Sequence, residues 1–108
     1  MNNPYSVRYT DLFFSDLESA LDYISNELSN PAAARSLYSK VKKETASIAK
    51  MPFSFPDCSY WYLPEAKYRH APIGNYSVFF EVNEKERTVI FLRFMYSAMN
   101  ITDSAITQ

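Results

Sequence analysis

An α+β domain is predicted for this chain, built from an N-terminal strand, an antiparallel helical hairpin and a twisted, mainly antiparallel sheet of about four strands. Three observations predict it. Two consecutive segments place apolar residues at helical spacing. The stretch GNYSVFFEVNEKERTVIFLRFMY, Gly74 to Tyr96, holds two apolar runs parted by a charged block. A length of 108 residues suffices for one core and no more, so a single domain over 1–108 is expected, with its ordered part over about 5–101.

The elements follow in chain order. YSVRY, Tyr5 to Tyr9, alternates bulky with smaller or polar residues and reads as the first strand. Thr10 before Asp11 is an N-cap with an acidic first turn. Leu17, Leu21, Ile24 and Leu28 then recur every three or four residues, one face of an amphipathic helix. Asn30-Pro31 closes that helix and opens the next, with Asn30 as N-cap and Pro31 at the first helical position. Leu37, Val41 and Ile48 mark the buried stripe of the second helix, and Pro52 ends it. Met51 to Ala66 has three prolines and five aromatics and reads as a packed irregular connection, with Trp61 as a core anchor. Lys67 to Ala71 is expected as a strand, Gly74-Asn75 as a turn, Tyr76 to Val82 as a strand, Asn83 to Glu86 as a polar turn and Thr88 to Met95 as the last strand. The tail ITDSAITQ is polar.

The two helices differ in charge. Residues 11–30 carry Asp11, Asp16, Glu18, Asp22 and Glu27 without a Lys or Arg, whereas residues 31–50 carry Arg35, Lys40, Lys42, Lys43 and Lys50 against Glu44. Either two solvated faces attract one another, or the basic helix meets an acidic partner.

Composition narrows function. Hydrophobic residues at 47% argue against disorder, and no run of about 18 apolar residues provides a membrane span. The N-terminus lacks a basic and then apolar leader, and the lone Cys58 cannot form an internal disulfide, so the cytoplasm is the expected location. A net charge of -1 and a pI near 5.8 leave nucleic-acid binding to a local patch at most. One His and one Cys in separate segments make no metal-ligand set, and a single glycine makes no phosphate-binding loop. No cofactor is expected.

The first strand YSVRYT, the helical hairpin, Tyr68-Arg69, Gly74-Asn75-Tyr76, Phe79-Phe80-Glu81-Val82 and Val89 to Tyr96 together resemble the RelE/ParE toxin superfamily, toxins of type II toxin–antitoxin modules also described as plasmid stabilisation proteins. The resemblance runs from about Tyr5 to about Ile101 and rests on order and spacing more than on any single motif. It implies a toxin neutralised by a cognate antitoxin in a hetero-oligomer, with either DNA gyrase (the ParE type) or mRNA on the ribosome (the RelE type) as target.

RelE-type cleavage calls for cations that stabilise charge developing on a phosphate. The resemblance puts the candidates at Arg69, His70, Arg93 and Tyr96. His70 has the titration range for acid–base work, and Tyr96 offers a ring for base stacking or for the end of the core. The chain departs from the cleaving pattern in two places. Ser77 follows Tyr76 where that type places Arg, and Ala98-Met99 stand where it often places basic residues. Arg69 and Arg93 also have structural alternatives: Glu65, Glu81 or the antitoxin. The departures and the near-neutral charge favour a ParE-like inhibitor that works by binding, over a ribosome-dependent mRNA endonuclease or a degenerate, non-toxic protein-binding member.

Overall fold

A computed structural model describes residues 4–55 and 68–96. Cys58, Trp61, Glu65, Lys67, Ala98 and Met99, with the readings attached to them, lie outside the described residues. The elements are β1 (Ser6–Tyr9), α1 (Asp11–Asp22), α2 (Pro31–Lys50), β2 (Arg69–Ile73), β3 (Tyr76–Asn83) and β4 (Thr88–Tyr96). The sheet order is β1-β4-β3-β2. Both the β2–β3 and β3–β4 pairs are antiparallel, while β1 runs parallel to β4. The helical hairpin supplies the crossover that a parallel β1–β4 pairing needs.

Capping fixes where the helices begin. Thr10 Oγ1 accepts from the Phe13 N–H at 3.0 Å, and Asn30 Oδ1 accepts from the Ala33 N–H at 3.1 Å, each satisfying a donor the helix leaves unpaired. The first helix departs from its predicted stripe. α1 ends at Asp22 and continues as a π-turn, Tyr23–Glu27, in which the Leu28 N–H reaches back to the Tyr23 carbonyl at 3.0 Å. The wider turn rotates the following residues, so Leu28 stands 55% exposed rather than buried with Leu17. Ser29, at φ 51, then turns the chain, and the Asn30 N–H bonds the Ile24 carbonyl.

The core lies between the hairpin and one face of the sheet. Phe13, Leu17 and Ala20 of α1 and Leu37, Val41 and Ile48 of α2 pack on Ala71, Ile73, Val78, Phe80, Val89, Phe91 and Phe94. The periodicity predicted this for α2; Phe13 is an anchor that the spacing of leucines passed over. Thr45 is buried too, and its hydroxyl donates to the Lys42 carbonyl, which removes the cost of an unpaired polar group. Successive strand residues alternate faces, so Phe79 and Met95 belong to the opposite face, and both are buried there.

Two irregularities shape the sheet. Gly74, at φ 60, takes the first position of a two-residue hairpin between Ile73 and Tyr76. A Cβ there would touch nothing within 4 Å, so the backbone angle rather than space calls for glycine. In β4, Phe79 and Phe80 pair with Arg93 and Phe91, which leaves Leu92 as the extra residue of a bulge. The bulge lies where β1 ends: the Thr10 N–H bonds the Phe91 carbonyl and the Thr10 hydroxyl donates to the Leu92 carbonyl at 2.8 Å. The start of α1 thus takes over β1's role along β4.

Candidate functional site

A groove of about 700 Å³ lies between the end of α1 and the end of β4. Its walls include Tyr23, Leu28, Tyr76, Phe94 and Tyr96, with Asn75 at the β2–β3 turn. Tyr76 stacks on Phe94 at 4.8 Å between centroids and meets Tyr96 edge-on at 5.5 Å. Burial, and next the neighbouring Tyr96 and Tyr23, push the Tyr76 phenol up from its usual range, so it stays protonated and serves as a hydrogen-bonding and packing group.

Arg93 and Asp16 close one end of this groove. Arg93 Nε and Nη2 donate to the two carboxylate oxygens of Asp16 at 2.6 and 2.9 Å, and the Phe94 N–H donates to Asp16 Oδ2 at 3.0 Å. The geometry is the planar two-point match of guanidinium and carboxylate. Both side chains are mostly buried, at 15% and 16% exposure. The bond to Asp16 raises the Arg93 pKa above its usual value, against the smaller opposing effect of burial. Asp16 was not singled out from the sequence as a partner, and Glu81, one of the carboxylates considered, is exposed on β3. The signal that finds Asp16 is its place within one turn of both Phe13 and Leu17: a carboxylate so close to the buried stripe needs a cation from the sheet.

Arg69 has a different setting. Its Nη1 donates to the Phe55 carbonyl at 2.6 Å, and its guanidinium lies 4.9 Å from the centroid of the Phe53 ring. It anchors the short 3-10 turn Pro52–Ser54 that follows α2. His70 is half-buried with its ring 6.2 Å from that of Phe79, and burial lowers its pKa below 6.5.

Register places the four candidates relative to one another. His70, Phe79 and Arg93 form one cross-strand row, so His70 and Arg93 share a face at two strand spacings, roughly 10 Å. Arg69 belongs to the adjacent row with Phe80 and Phe91, on the helix-covered face. Tyr96 pairs with Tyr76 at the far end of β4, roughly 15 Å along the strand from Phe91. The sheet therefore brings His70 and Arg93 to one face and sets Arg69 apart from them, while Tyr96 shares only the groove with Arg93. Among the described residues no cluster of His, Cys, Asp or Glu could hold a metal ion, and no helix is long and apolar enough to cross a membrane.

No curated protein matches the chain by sequence. Several solved structures share its fold, two of them toxin–antitoxin systems. The toxin–antitoxin complex RelBE2 from Mycobacterium tuberculosis superposes with a TM-score of 0.61 at 19% identity, over 87% of this chain and 99% of that one. A chromosomal ParDE system from P. aeruginosa superposes with a TM-score of 0.68 at 16% identity, over 85% and 95%. Each supports the strand–hairpin–sheet architecture. The family model of the ParE toxin of type II toxin–antitoxin systems matches residues 7–101, from the middle of β1 to beyond β4. That match spans nearly the whole domain described above, and the chain belongs to the ParE toxin family.

Proposed function

We propose that the protein is a ParE-like toxin in mechanism as well as family: it inhibits growth by binding a protein target such as DNA gyrase, and a cognate antitoxin neutralises it in a hetero-oligomer. The observation that carries this reading is the two-point bond between Arg93 and Asp16. A cation whose charge is matched by a carboxylate is poorly placed to stabilise a phosphate transition state. Arg69 is directed to the Phe55 carbonyl, and Ser77 follows Tyr76 where a cleaving relative would place Arg. The groove lined by Tyr23, Leu28, Tyr76 and Tyr96 suits a protein segment better than a polyanion, because among the described residues its only cation is Arg93. An antitoxin partner is supported by the two neighbours, a toxin–antitoxin complex and a ParDE system.

The discriminating measurement is DNA supercoiling by purified gyrase with increasing amounts of the protein. Concentration-dependent inhibition that ends on addition of the antitoxin is expected. Full supercoiling at large excess overturns the gyrase reading. A second reading, ribosome-dependent mRNA cleavage by Arg69, His70, Arg93 and Tyr96, draws on the row that sets His70 and Arg93 on one face. It requires mRNA cleavage in a translating extract that Arg69→Ala abolishes. A degenerate, non-toxic member would leave growth unchanged on induced expression.

A further inference from the structure

The acidic and basic arms of the hairpin are not paired with each other. Among the described residues no carboxylate of α1 forms an ion pair with a cation of α2; Asp16 is taken by Arg93 of β4 instead. The remaining charges gather on the side turned from the sheet. At about 100° per residue, Asp22 stands roughly 140° around α1 from Leu17, and Arg35 roughly 160° around α2 from Leu37. Leu17 and Leu37 pack toward the sheet, so Asp22 and Arg35 point away from it. Asp11, Glu18 and Asp22 recur along one exposed stripe of α1, and Arg35 and Lys42 along one exposed stripe of α2.

A shallow groove of about 570 Å³ runs between the two stripes near the closed end of the hairpin. Leu21, Pro31 and Ala34 give it apolar walls, while Asp22 and Arg35 line it with opposite charge. Tyr38 stands in its wall with 47% of its surface exposed. Among the described residues neither Asp22 nor Arg35 makes an ion pair or a side-chain hydrogen bond. The surface therefore offers an apolar centre with one free charge of each sign beside it.

We propose that this outer face of the hairpin docks a second copy of the chain, about a two-fold axis parallel to the helices. Such an axis lays α1 of each copy on α2 of the other. Asp22 and Arg35 line one groove, so each Asp22 meets the Arg35 of the other copy at the same level, and the contact occurs twice. Lys42 lies seven residues beyond Arg35, about 10 Å along α2, which sets it level with the span between Glu18 and Asp11 of the other copy. The two Tyr38 rings fill the centre against Leu21 and Ala34. An axis running across the helices would lay α1 on α1 and bring acid to acid, so charge selects one arrangement. A foreign acidic protein would satisfy α2 only, and the carboxylates of α1 beside it would repel it. With α2 at 20 residues, about 30 Å long, and two helices about 20 Å across, the face offers about 600 Å² per copy. That is near the lower bound for a specific interface, so the dimer is weak and reversible. The exposed ion pairs fix partner and register more than they add affinity.

The test is sedimentation velocity on the full chain from about 10 μM to about 1 mM, a range that brackets weak association. A reversible dimer is expected, weakening several-fold as salt rises from about 50 mM to about 500 mM. Arg35→Glu and Asp22→Arg, both at exposed positions, should keep the parent's unfolding midpoint and each raise the dissociation constant by at least about tenfold. Mixed in equal amounts the two variants should dimerise again, because an all-acidic face then meets an all-basic one. The double swap Asp22→Arg with Arg35→Asp keeps each copy self-complementary and should dimerise like the parent. A parent that stays monomeric at about 1 mM overturns the proposal, as do single variants that dimerise like the parent, or a mixture and a double swap that stay monomeric while folded. A monomeric parent that binds polyglutamate would assign the basic stripe to a foreign acidic partner and overturn the dimer.

Discussion

Arg93 and Arg69 lie in adjacent rows of one sheet, yet they are held by different physics. Arg93 meets a carboxylate through two parallel bonds and shares that carboxylate with the Phe94 N–H, so its charge is balanced and its position fixed. Among the described residues Arg69 meets a neutral carbonyl and an aromatic face and no carboxylate, so its position is fixed without a matched charge. The first arrangement ties α1 to the bulged end of β4, where β1 no longer covers the strand. The second only orients the turn after α2. Of the two, Arg69 retains the charge that an anionic partner could use, and Arg93 carries the load of the fold.

Removing Arg93 tests this contrast most severely. Arg93→Ala leaves Asp16 as a mostly buried carboxylate with a single N–H donor, and such an orphan costs about 3 kcal/mol. Urea unfolding should show a loss of that size. The double change Asp16→Asn with Arg93→Gln should recover most of it, because the buried charge goes with its partner. A loss below about 1 kcal/mol for the single variant would make the pair equivalent to a surface ion pair and erase the difference between the two arginines.

Arg69→Ala is the milder change. It removes one charged hydrogen bond and one cation–ring contact, and the Phe55 carbonyl it abandons is within reach of water at a part-buried site. A cost of about 1 kcal/mol is expected by the same unfolding measurement. Arg69→Lys should recover part of it, since Lys can keep the bond but not the flat stacking on Phe53. If Arg69→Ala destabilised as much as Arg93→Ala, the neutral partners would matter as much as the carboxylate, and the distinction drawn above would fail.

The same contrast marks what the residues alone could reveal. Strand β1, the α2 stripe, the Gly74-Asn75 turn and the two long strands were legible because each follows from local chemistry: alternation, helical spacing, a cap or a turn residue. The strand boundaries shifted by a residue or two, with β2 found at Arg69–Ile73 and β1 starting at Ser6. The Leu28 position was misread because a π-turn changes the angular step between residues, and no residue type announces it. The Asp16–Arg93 pair spans 77 positions of sequence and depends on the Leu92 bulge. Neither the bulge nor its register can be read from hydrophobic pattern, so the sequence offers Arg93 as a candidate phosphate ligand and does not point to Asp16 beside it.

His70 offers the smallest effect and the finest resolution, because it follows Arg69 in sequence and shares the Arg93 row. It is the single histidine, and burial lowers its pKa from 6.5 in the folded state. Folding therefore disfavours the protonated ring. The associated stability is fully present above pH 6.5. It falls as pH is lowered through 6.5, where the unfolded chain takes up a proton first, and levels off below the folded pKa. Carboxylates titrate mostly lower, which leaves the interval from about pH 6.5 to about pH 5 to this one group. The unfolding midpoint of the parent protein should drop across that interval, and His70→Gln should flatten the drop. A parent and variant with the same slope would mean that the ring is as well solvated folded as unfolded. The His70–Phe79 face of the sheet would then be wetter than the Arg93–Asp16 border beside it.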